Sequence, residues 1–211
     1  MEAVSEPPPD QRISGKRAQS KEQNRRIILD AARRVFAQLG YSGTTVRDVI
    51  RATPLASGTF YNYFRSKEEV FQAMRDETAL ALRPVLREAR LKAQTAEAFV
   101  AETFRAFFGH VAASRADLAG ITRSDVVHVR VDTPEVLAGF HELRADLEGA
   151  IARGLFPAID AEMLTASIVG IAFEMAAILQ QREGLLSDGA AAFATSLVMG
   201  GLSALPRREM T

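Results

Sequence analysis

The chain has 211 residues, which allows one large domain or two small ones and a hydrophobic core that needs no disulfide. Hydrophobic residues make up 47% and charged residues 25%, the ordinary values of globular proteins, which argues against wholesale disorder. Lys and Arg number 26, as do Asp and Glu, so the formal net charge is zero, which taken alone argues against a protein that coats nucleic acid or acidic membrane.

Residues 1–19 are rich in proline, serine, glycine and charge, without a periodic apolar face, and are predicted to form a flexible arm. The first helix should begin at Ser20, because Ser20 and Gln23 have the spacing of a capping box. Gly40 suits the left-handed residue that ends this helix. Residues at helical spacing define its predicted buried face: Ile28, Ala32, Val35, Phe36 and Leu39.

Two short helices should follow. Thr45 is expected to cap the second helix, with Asp48 at its third position near the positive end of the helix dipole. Pro54 ends this helix, and a third helix covers about Ser57 to Phe64.

The fourth helix is predicted to begin after Ser66, where Glu69 completes a second capping box. It runs toward Ala93 and passes Pro84, which should bend or divide it.

Five more helical segments are predicted at roughly 95–114, 117–129, 134–153, 161–182 and 188–205. Thr95, Thr133, Asp160 and Ser187 are their candidate N-caps, and Pro134 suits a first helical position. The chain is therefore expected to be all-α with about nine helices, divided naturally between 1–67 and 68–211.

Catalytic and metal-binding residues are sparse. The sequence has no cysteine, which removes disulfides, thiolate nucleophiles and Cys-ligated metal sites and is compatible with a reducing cytosol. His110, His128 and His141 fall on different predicted helices without an i, i+4 pair, so no metal site and no cofactor are expected. No nucleophile–base pair, phosphate loop or usefully spaced carboxylate pair is evident, so an enzyme is not expected.

The sequence does not indicate a membrane protein. The N-terminus has no apolar segment of the signal-peptide type. The longest apolar stretch, Leu164 to Leu179, is interrupted by Glu174 and is short of the roughly 20 residues that span a membrane. A buried core or interface helix is the better interpretation.

The zero net charge conceals a strong segregation. Between Arg12 and Lys67 there are 12 basic and 3 acidic residues, a net charge of +9, and the rest of the chain carries −9. A solvated helix face explains most single clusters of charge. Here the basic block coincides with a compact three-helix unit, which favours a nucleic-acid partner.

Residues 44–64 have the spacing of a helix-turn-helix, with two short helices around a turn of about four residues. Phe60 and Phe64 share one face, which can pin the second of these helices onto the first and fourth helices of the chain. The other faces carry hydroxyls, an amide and phenols, which suit contacts with phosphates and base edges: Ser57, Thr59, Tyr61, Asn62 and Tyr63. Gly58 lets the backbone approach DNA closely, and Lys67 at the start of the next helix would favour a phosphate.

The segment from about Lys21 to Met74 resembles the DNA-binding domain of the TetR (tetracycline-repressor-type) family of bacterial transcriptional regulators. The matching residues include Ala31-Ala32, Phe36, Gly40-Tyr41, Thr44-Thr45-Val46-Arg47-Asp48, Gly58-Thr59-Phe60-Tyr61, Tyr63-Phe64 and Ser66-Lys67-Glu68-Glu69. The match covers about a quarter of the chain, and the remainder is similar to the family only in length and helicity.

The resemblance implies a homodimeric, cytoplasmic bacterial regulator, nucleoid-associated when bound to DNA, in which each helix-turn-helix reads half of a palindromic operator. It implies a DNA-binding domain at 20–67 and an effector-binding and dimerisation domain at 68–211. A repressor released by a small-molecule effector is the main hypothesis; an activator and an effector-independent architectural DNA-binding protein are the alternatives. By position, the residues that contact DNA would be Thr45, Arg47, Ser57, Gly58, Thr59, Tyr61, Asn62, Tyr63 and Lys67.

Two positions depart from the family pattern. Ile50 stands where the family usually has a small residue, and Thr53-Pro54 stands where it has Ala-Gly. Pro54 fixes φ and removes an N–H from the turn, so the angle between the two helices and the operator sequence are open.

Aromatic residues and histidines of the C-terminal part are either ordinary core or the lining of an effector pocket. The candidates for the pocket are Phe104, Phe107, Phe108, His110, His128, Phe140, His141 and Phe173. An apolar, aromatic lining would suit a partly hydrophobic small molecule.

The last two predicted helices, at about 161–205, are apolar nearly all round and rich in small residues, so each needs burial on two sides. They are internal helices of one protomer or an isologous four-helix interface between two protomers. The family resemblance favours the interface.

Overall fold

The computed structural model describes residues 9–114, 133–182 and 184–205, with side chains from Arg17 onward. Within these ranges the chain is helical, without a strand, which confirms the all-α prediction. The helices are α1 (Pro9–Leu39), α2 (Val46–Arg51), α3 (Ser57–Tyr61), α4 (Lys67–Lys92), α5 (Ala96–Ala113), α6 (Pro134–Ala152), α7 (Ala161–Gln181) and α8 (Ser187–Leu202). The helix predicted at 117–129 lies outside the described residues.

Helix α1 begins at Pro9 and is 31 residues long, so the predicted start at Ser20 is wrong. Residues 9–19, expected to belong to a flexible arm, continue the helix, and Ser20 lies inside it. Most residues between 10 and 20 are good helix formers, with one glycine and no proline among them, and Pro9 occupies the favoured first position.

Helix α1 ends as predicted. Gly40 has a φ of 73°, and its N–H donates to the carbonyl of Phe36 at 2.9 Å. Leu39, predicted on the buried face, is 54% exposed, because it is the last helical residue, at the edge of the three-helix unit. Leu29, which the periodicity did not single out, is fully buried instead.

Four of the predicted N-caps form in full. The hydroxyls of Thr45, Thr95 and Thr133 and the carboxylate of Asp160 each accept hydrogen bonds from backbone N–H groups of the helix that they precede. Ser187 is not an N-cap, because α8 begins at Ser187 itself after Leu186, and no side chain caps it.

The start of α4 uses a modified capping box. The Ser66 hydroxyl accepts from the N–H of Glu69 at 3.2 Å, whereas the Glu69 carboxylate accepts from the N–H of Arg65 at 2.7 Å instead of that of Ser66. Pro84 does not divide α4, which runs unbroken to Lys92. Pro84 and Leu80, whose carbonyl loses its helical partner, are both exposed, so water can hydrate that carbonyl.

The helices enclose two hydrophobic cores. The first joins α1, α2, α3 and the start of α4, and its members include Ile28, Phe36, Val49, Phe60 and Phe71. The second joins α5 to α8 and contains four phenylalanines: Phe99, Phe104, Phe108 and Phe156.

Helix α4 connects the two cores. Toward α1, the Glu77 carboxylate binds Arg25 at 2.6 Å and Arg33 at 2.8 Å. Toward α6, Arg90 binds Asp146 at 2.8 Å, and Arg90 is only 3% exposed. One helix therefore carries contacts to both cores.

Helix α7 is, among the described helices, the one that is long and apolar enough to cross a membrane by composition. Its residues Leu164, Ile168 and Leu179 are instead buried in the second core. Helix α7 thus buries one face in the second core.

Candidate nucleic-acid interface

Thr45 caps the N-terminus of α2, as predicted, and Asp48 completes a capping box that the sequence analysis did not specify. The Thr45 hydroxyl accepts from the Asp48 N–H at 3.3 Å, and the Asp48 carboxylate accepts from the Thr45 N–H at 2.9 Å and from its hydroxyl at 2.6 Å. The hydrogen bond from the Thr45 hydroxyl is the main cause that lowers the pKa of Asp48 below its ordinary value. The hydroxyl proton of Thr45 is therefore already committed within the protein.

The turn between α2 and α3 is organised by Thr53, which stands at one of the two positions that depart from the family pattern. Its hydroxyl donates to the Ile50 carbonyl at 2.8 Å and accepts from the Leu55 N–H at 3.2 Å. Pro54, which has no N–H to donate, is exposed between them. Thr53 thus holds the turn in which Pro54 offers no hydrogen bond, a role that the sequence did not suggest.

Helix α3 is anchored on one side and exposed on the other. Phe60 is 1% and Phe64 5% exposed, and both pack in the first core, as predicted. Around them, Ser57, Gly58, Tyr61 and Asn62 are exposed, and Thr59 and Tyr63 are half-buried. A Cβ added at Gly58 would meet nothing within 4 Å, so this part of α3 is open to an approaching surface.

Lys67 occupies a more constrained position than the sequence suggested. Its ammonium donates to the carbonyls of Tyr41 at 2.9 Å and Thr44 at 3.0 Å, and lies 4.6 Å from the centre of the Tyr41 ring. An ammonium has three N–H donors, so one remains for a phosphate. The Tyr41 hydroxyl in turn donates to Glu68 at 3.1 Å.

Exposed cations surround α2 and α3. Arg47, Arg51 and Arg65 are exposed and form no ion pair with any residue that the structure describes. A guanidinium without a carboxylate partner is available to phosphate oxygens. An anchored short helix with a polar outer face, flanked by free cations, defines the class of helix-turn-helix DNA-binding domains.

Comparison with known proteins supports this class. The sequence profile of the bacterial regulatory proteins of the tetR family matches residues 28–74. An uncharacterized HTH-type transcriptional regulator of Haemophilus influenzae is 32% identical over 97 residues, which cover 46% of this chain and 47% of that protein. The match therefore spans about half the length of this curated relative.

Solved structures share the helical fold over most of the chain. The fatty acid degradation regulator FadR from Bacillus halodurans has a TM-score of 0.72 and 23% identity, covering 84% of this chain and 95% of that chain. A putative TetR-family regulator from Syntrophomonas wolfei has a TM-score of 0.68 and 19% identity over 86% and 96% of the two chains. FadR from Bacillus subtilis, solved with stearoyl-CoA, has a TM-score of 0.64 and 20% identity over 85% and 98%.

Residues 28–74 match the profile of the bacterial regulatory proteins of the tetR family, and this match confirms the resemblance seen in the sequence. The solved structures, all below 25% identity, show that the remaining described helices follow the fold of such proteins.

The phenylalanines among the candidate pocket residues contact one another. The phenylalanines form a chain of ring contacts from α5 through α7 to α6: Phe104 to Phe108, Phe108 to Phe107, Phe107 to Phe173 and Phe173 to Phe140, with centroids 5.5–6.0 Å apart. His141 is exposed, and His128 lies outside the described residues. Phe104 and Phe108 are fully buried, whereas Phe107, Phe140 and Phe173 are half-buried.

Several buried polar atoms of α4 and α5 have no hydrogen-bond partner within the described part of the chain. They are Arg75 Nη1, Asp76 Oδ1, Arg83 Nε and His110 Nε2. Burial lowers the pKa of the Arg75 guanidinium. His110 was predicted, but nothing in the sequence distinguished Arg75 from the exposed cations of α4.

Proposed function

We propose that this chain is a transcriptional regulator that binds a palindromic DNA operator as a homodimer and leaves it when a small molecule binds. The observation that carries the proposal is the exposed polar face of α3, which is anchored by Phe60 and Phe64 and flanked by exposed arginines that form no ion pair with the described residues. The proposed function is the binding of DNA and of a small molecule in the cytoplasm, without catalysis or a cofactor.

The proposed DNA contacts follow from these positions. Ser57, Gly58 and Asn62 would meet base edges or phosphates at the exposed side of α3, together with Thr59 and Tyr61. Arg47 and the half-buried Tyr63 would bind phosphates, as would the third N–H of Lys67. Thr45 would contribute its backbone or the remaining lone pair of its hydroxyl oxygen, because the hydroxyl already donates its hydrogen bond to Asp48.

The proposed dimer forms through α7 and α8. Both helices bury one face in the second core and leave an apolar row exposed, with Ile178 51%, Phe193 64% and Leu197 54% exposed. A Cβ added at Gly170 or Gly200 would meet nothing within 4 Å, so packing within the chain does not require these glycines. Small residues beside exposed apolar ones permit two such helix pairs to approach closely.

The proposed effector has an apolar body and a polar end. Half-buried phenylalanines of α5, α6 and α7 would contact the apolar part, and the unpartnered atoms of Arg75 and His110 would bind the polar part. Structural neighbours include regulators whose names refer to fatty acids, one of them solved with stearoyl-CoA, which makes an acyl thioester the first probe.

The test is a selection of random 40-base-pair duplexes by the full-length protein. We expect an inverted repeat whose half-sites lie about 34–36 Å, or a multiple of that spacing, apart. If the selection enriches no sequence, or if the protein protects random DNA uniformly, specific regulation is contradicted and an architectural protein is favoured. Stearoyl-CoA is then added to the bound duplex, with coenzyme A alone as the control; release by the acylated compound alone supports the effector class.

A further inference from the structure

The N-terminal part of α1 precedes the first hydrophobic core. From Arg17 onward, where side chains are described, the first fully buried residue of α1 is Ile28, so 19 helical residues, 9–27, precede the residues of that core. At about 1.5 Å per residue this extension is roughly 28 Å long. Ile13 is its one large apolar residue before Ile27, and the side chains of 17–23 are all exposed. A helix that is polar all round needs some stabilising partner other than a hydrophobic core.

The extension is strongly basic, and three of its cations have no ion-pair partner among the described residues. Between Arg12 and Arg26 there are six basic residues and one acidic residue, Glu22. Arg17, Lys21 and Arg26 are exposed and form no ion pair with any of the residues that the structure describes. Arg17 and Lys21 are four residues apart, so they share one face and repel each other unless an anion lies between them.

The extension leaves the core close to the C-terminal end of α3. Arg25 stacks its guanidinium over the ring of Phe64, 5.8 Å from its centroid, and also binds Glu77. Phe64 follows directly after Asn62 and Tyr63, which belong to the proposed DNA interface. Residues 9–24 therefore project from a point next to that interface.

We propose that the N-terminal part of the extension, residues 9–24 of α1, is a second DNA-binding element that contacts the phosphate backbone outside the half-site read by α3. This inference rests on the proposed function for the position of the duplex. The partner is a polyanion with closely spaced charges, because Arg17 and Lys21 share one face and neither forms an ion pair with a carboxylate of the described residues. Residues 9–24 are about 24 Å long, about two thirds of one turn of the double helix, about 34 Å, so they can reach phosphates that α3 cannot.

The test compares the full-length protein with the Arg17→Gln/Lys21→Gln variant, which keeps residues of good helix propensity. Affinity is measured between 50 and 200 mM salt on a random 40-base-pair duplex and on the duplex that the wild type selects. Each lost phosphate contact makes the negative slope of log K against log salt less steep by about 0.9. We expect the slope of the variant to be less steep than that of the wild type by about 1.8 per protomer, so the affinity of the wild type should fall about tenfold more per protomer over this range.

The matched control is Lys92→Gln/Arg153→Gln, which removes two exposed cations far from α3 and should leave the slope unchanged. A slope equal to that of the wild type in the Arg17→Gln/Lys21→Gln variant overturns the inference, while specific binding by both proteins leaves the proposed function intact. If the variant loses slope but the wild type selects no sequence, the inference stands and the proposed function is contradicted. Loss of binding to phosphatidylglycerol vesicles with unchanged DNA binding also overturns the inference.

Discussion

The ammonium of Lys67 donates a hydrogen bond to the carbonyl oxygen of Tyr41 at 2.9 Å and lies over the same residue's ring. A second hydrogen bond reaches the Thr44 carbonyl, and the Tyr41 hydroxyl returns to Glu68. The first turn of α4 is thereby tied to the segment that leads into α2. A displacement of α4 would move the start of the helix-turn-helix through this tie.

Lys67→Met should lower the free energy of unfolding by about 1.5–3 kcal/mol for each charged hydrogen bond that is lost, because two carbonyls lose their cation. Urea unfolding measures the change. Lys92→Met is the control, since the Lys92 ammonium binds only the exposed Glu88 on the same helix. Equal stability of the two variants would show that the tie contributes nothing.

Asn62→Ala should relax sequence preference at one base pair of each half-site, by about 1–3 kcal/mol, because an exposed amide of α3 can read a base edge in two hydrogen bonds. Lys67→Met, in contrast, should weaken binding to all sequences and lower the salt slope by about 0.9 per protomer. Selection profiles and salt titrations measure the two effects. An unchanged profile for Asn62→Ala would argue that α3 does not read that base.

The local signals of the sequence predicted the helix-turn-helix well. Capping residues act within four residues of themselves, so Thr45, Ser66 and Asp160 could be identified without tertiary information. The start of α1 could not be identified in this way. Ser20 has the sequence pattern of an N-cap, but the helix begins at Pro9 and Ser20 lies inside it. Lys67 shows the other limit: its partners lie 23 and 26 residues away, and no local pattern reports such a contact.

The capping box of α2 should make stability depend on pH. The hydrogen bond from the Thr45 hydroxyl lowers the pKa of Asp48 from its ordinary 3.8 in the folded protein. The stabilisation is therefore fully present above the unfolded-state pKa and is lost as the pH falls through the lower folded-state pKa. Asp48→Asn should lower the unfolding temperature at pH 7 and have a smaller effect at pH 3. Thr45→Val removes the same hydrogen bond and should behave alike; a constant difference between pH 7 and pH 3 would contradict the assignment.

The ion pair between α4 and α6 should be important for stability. Arg90 is 3% and Asp146 10% exposed, at 2.8 Å. Arg90→Met leaves a buried carboxylate without its cation and should cost about 3–5 kcal/mol, whereas the double variant Arg90→Met/Asp146→Leu should recover most of this loss. Arg144→Met, which breaks exposed pairs with Glu148 and Glu162, should cost less than about 1 kcal/mol for each pair. Urea unfolding of the four proteins decides the matter, and similar losses for Arg90→Met and Arg144→Met would be the contrary result.

The exposed row of α7 and α8 predicts the effect of a charge at the proposed dimer interface. Leu197→Arg should dissociate the dimer, because a guanidinium at the centre of an isologous apolar interface meets its own copy. Leu91→Arg is the matched control, since Leu91 of α4 is also 54% exposed but lies away from these helices. Light scattering after gel filtration should give half the wild-type mass for Leu197→Arg alone. Because each protomer holds one half-site reader, the same variant should lose operator affinity while its circular dichroism stays helical. A dimer that survives Leu197→Arg and separates with Leu91→Arg would place the interface on α4 instead.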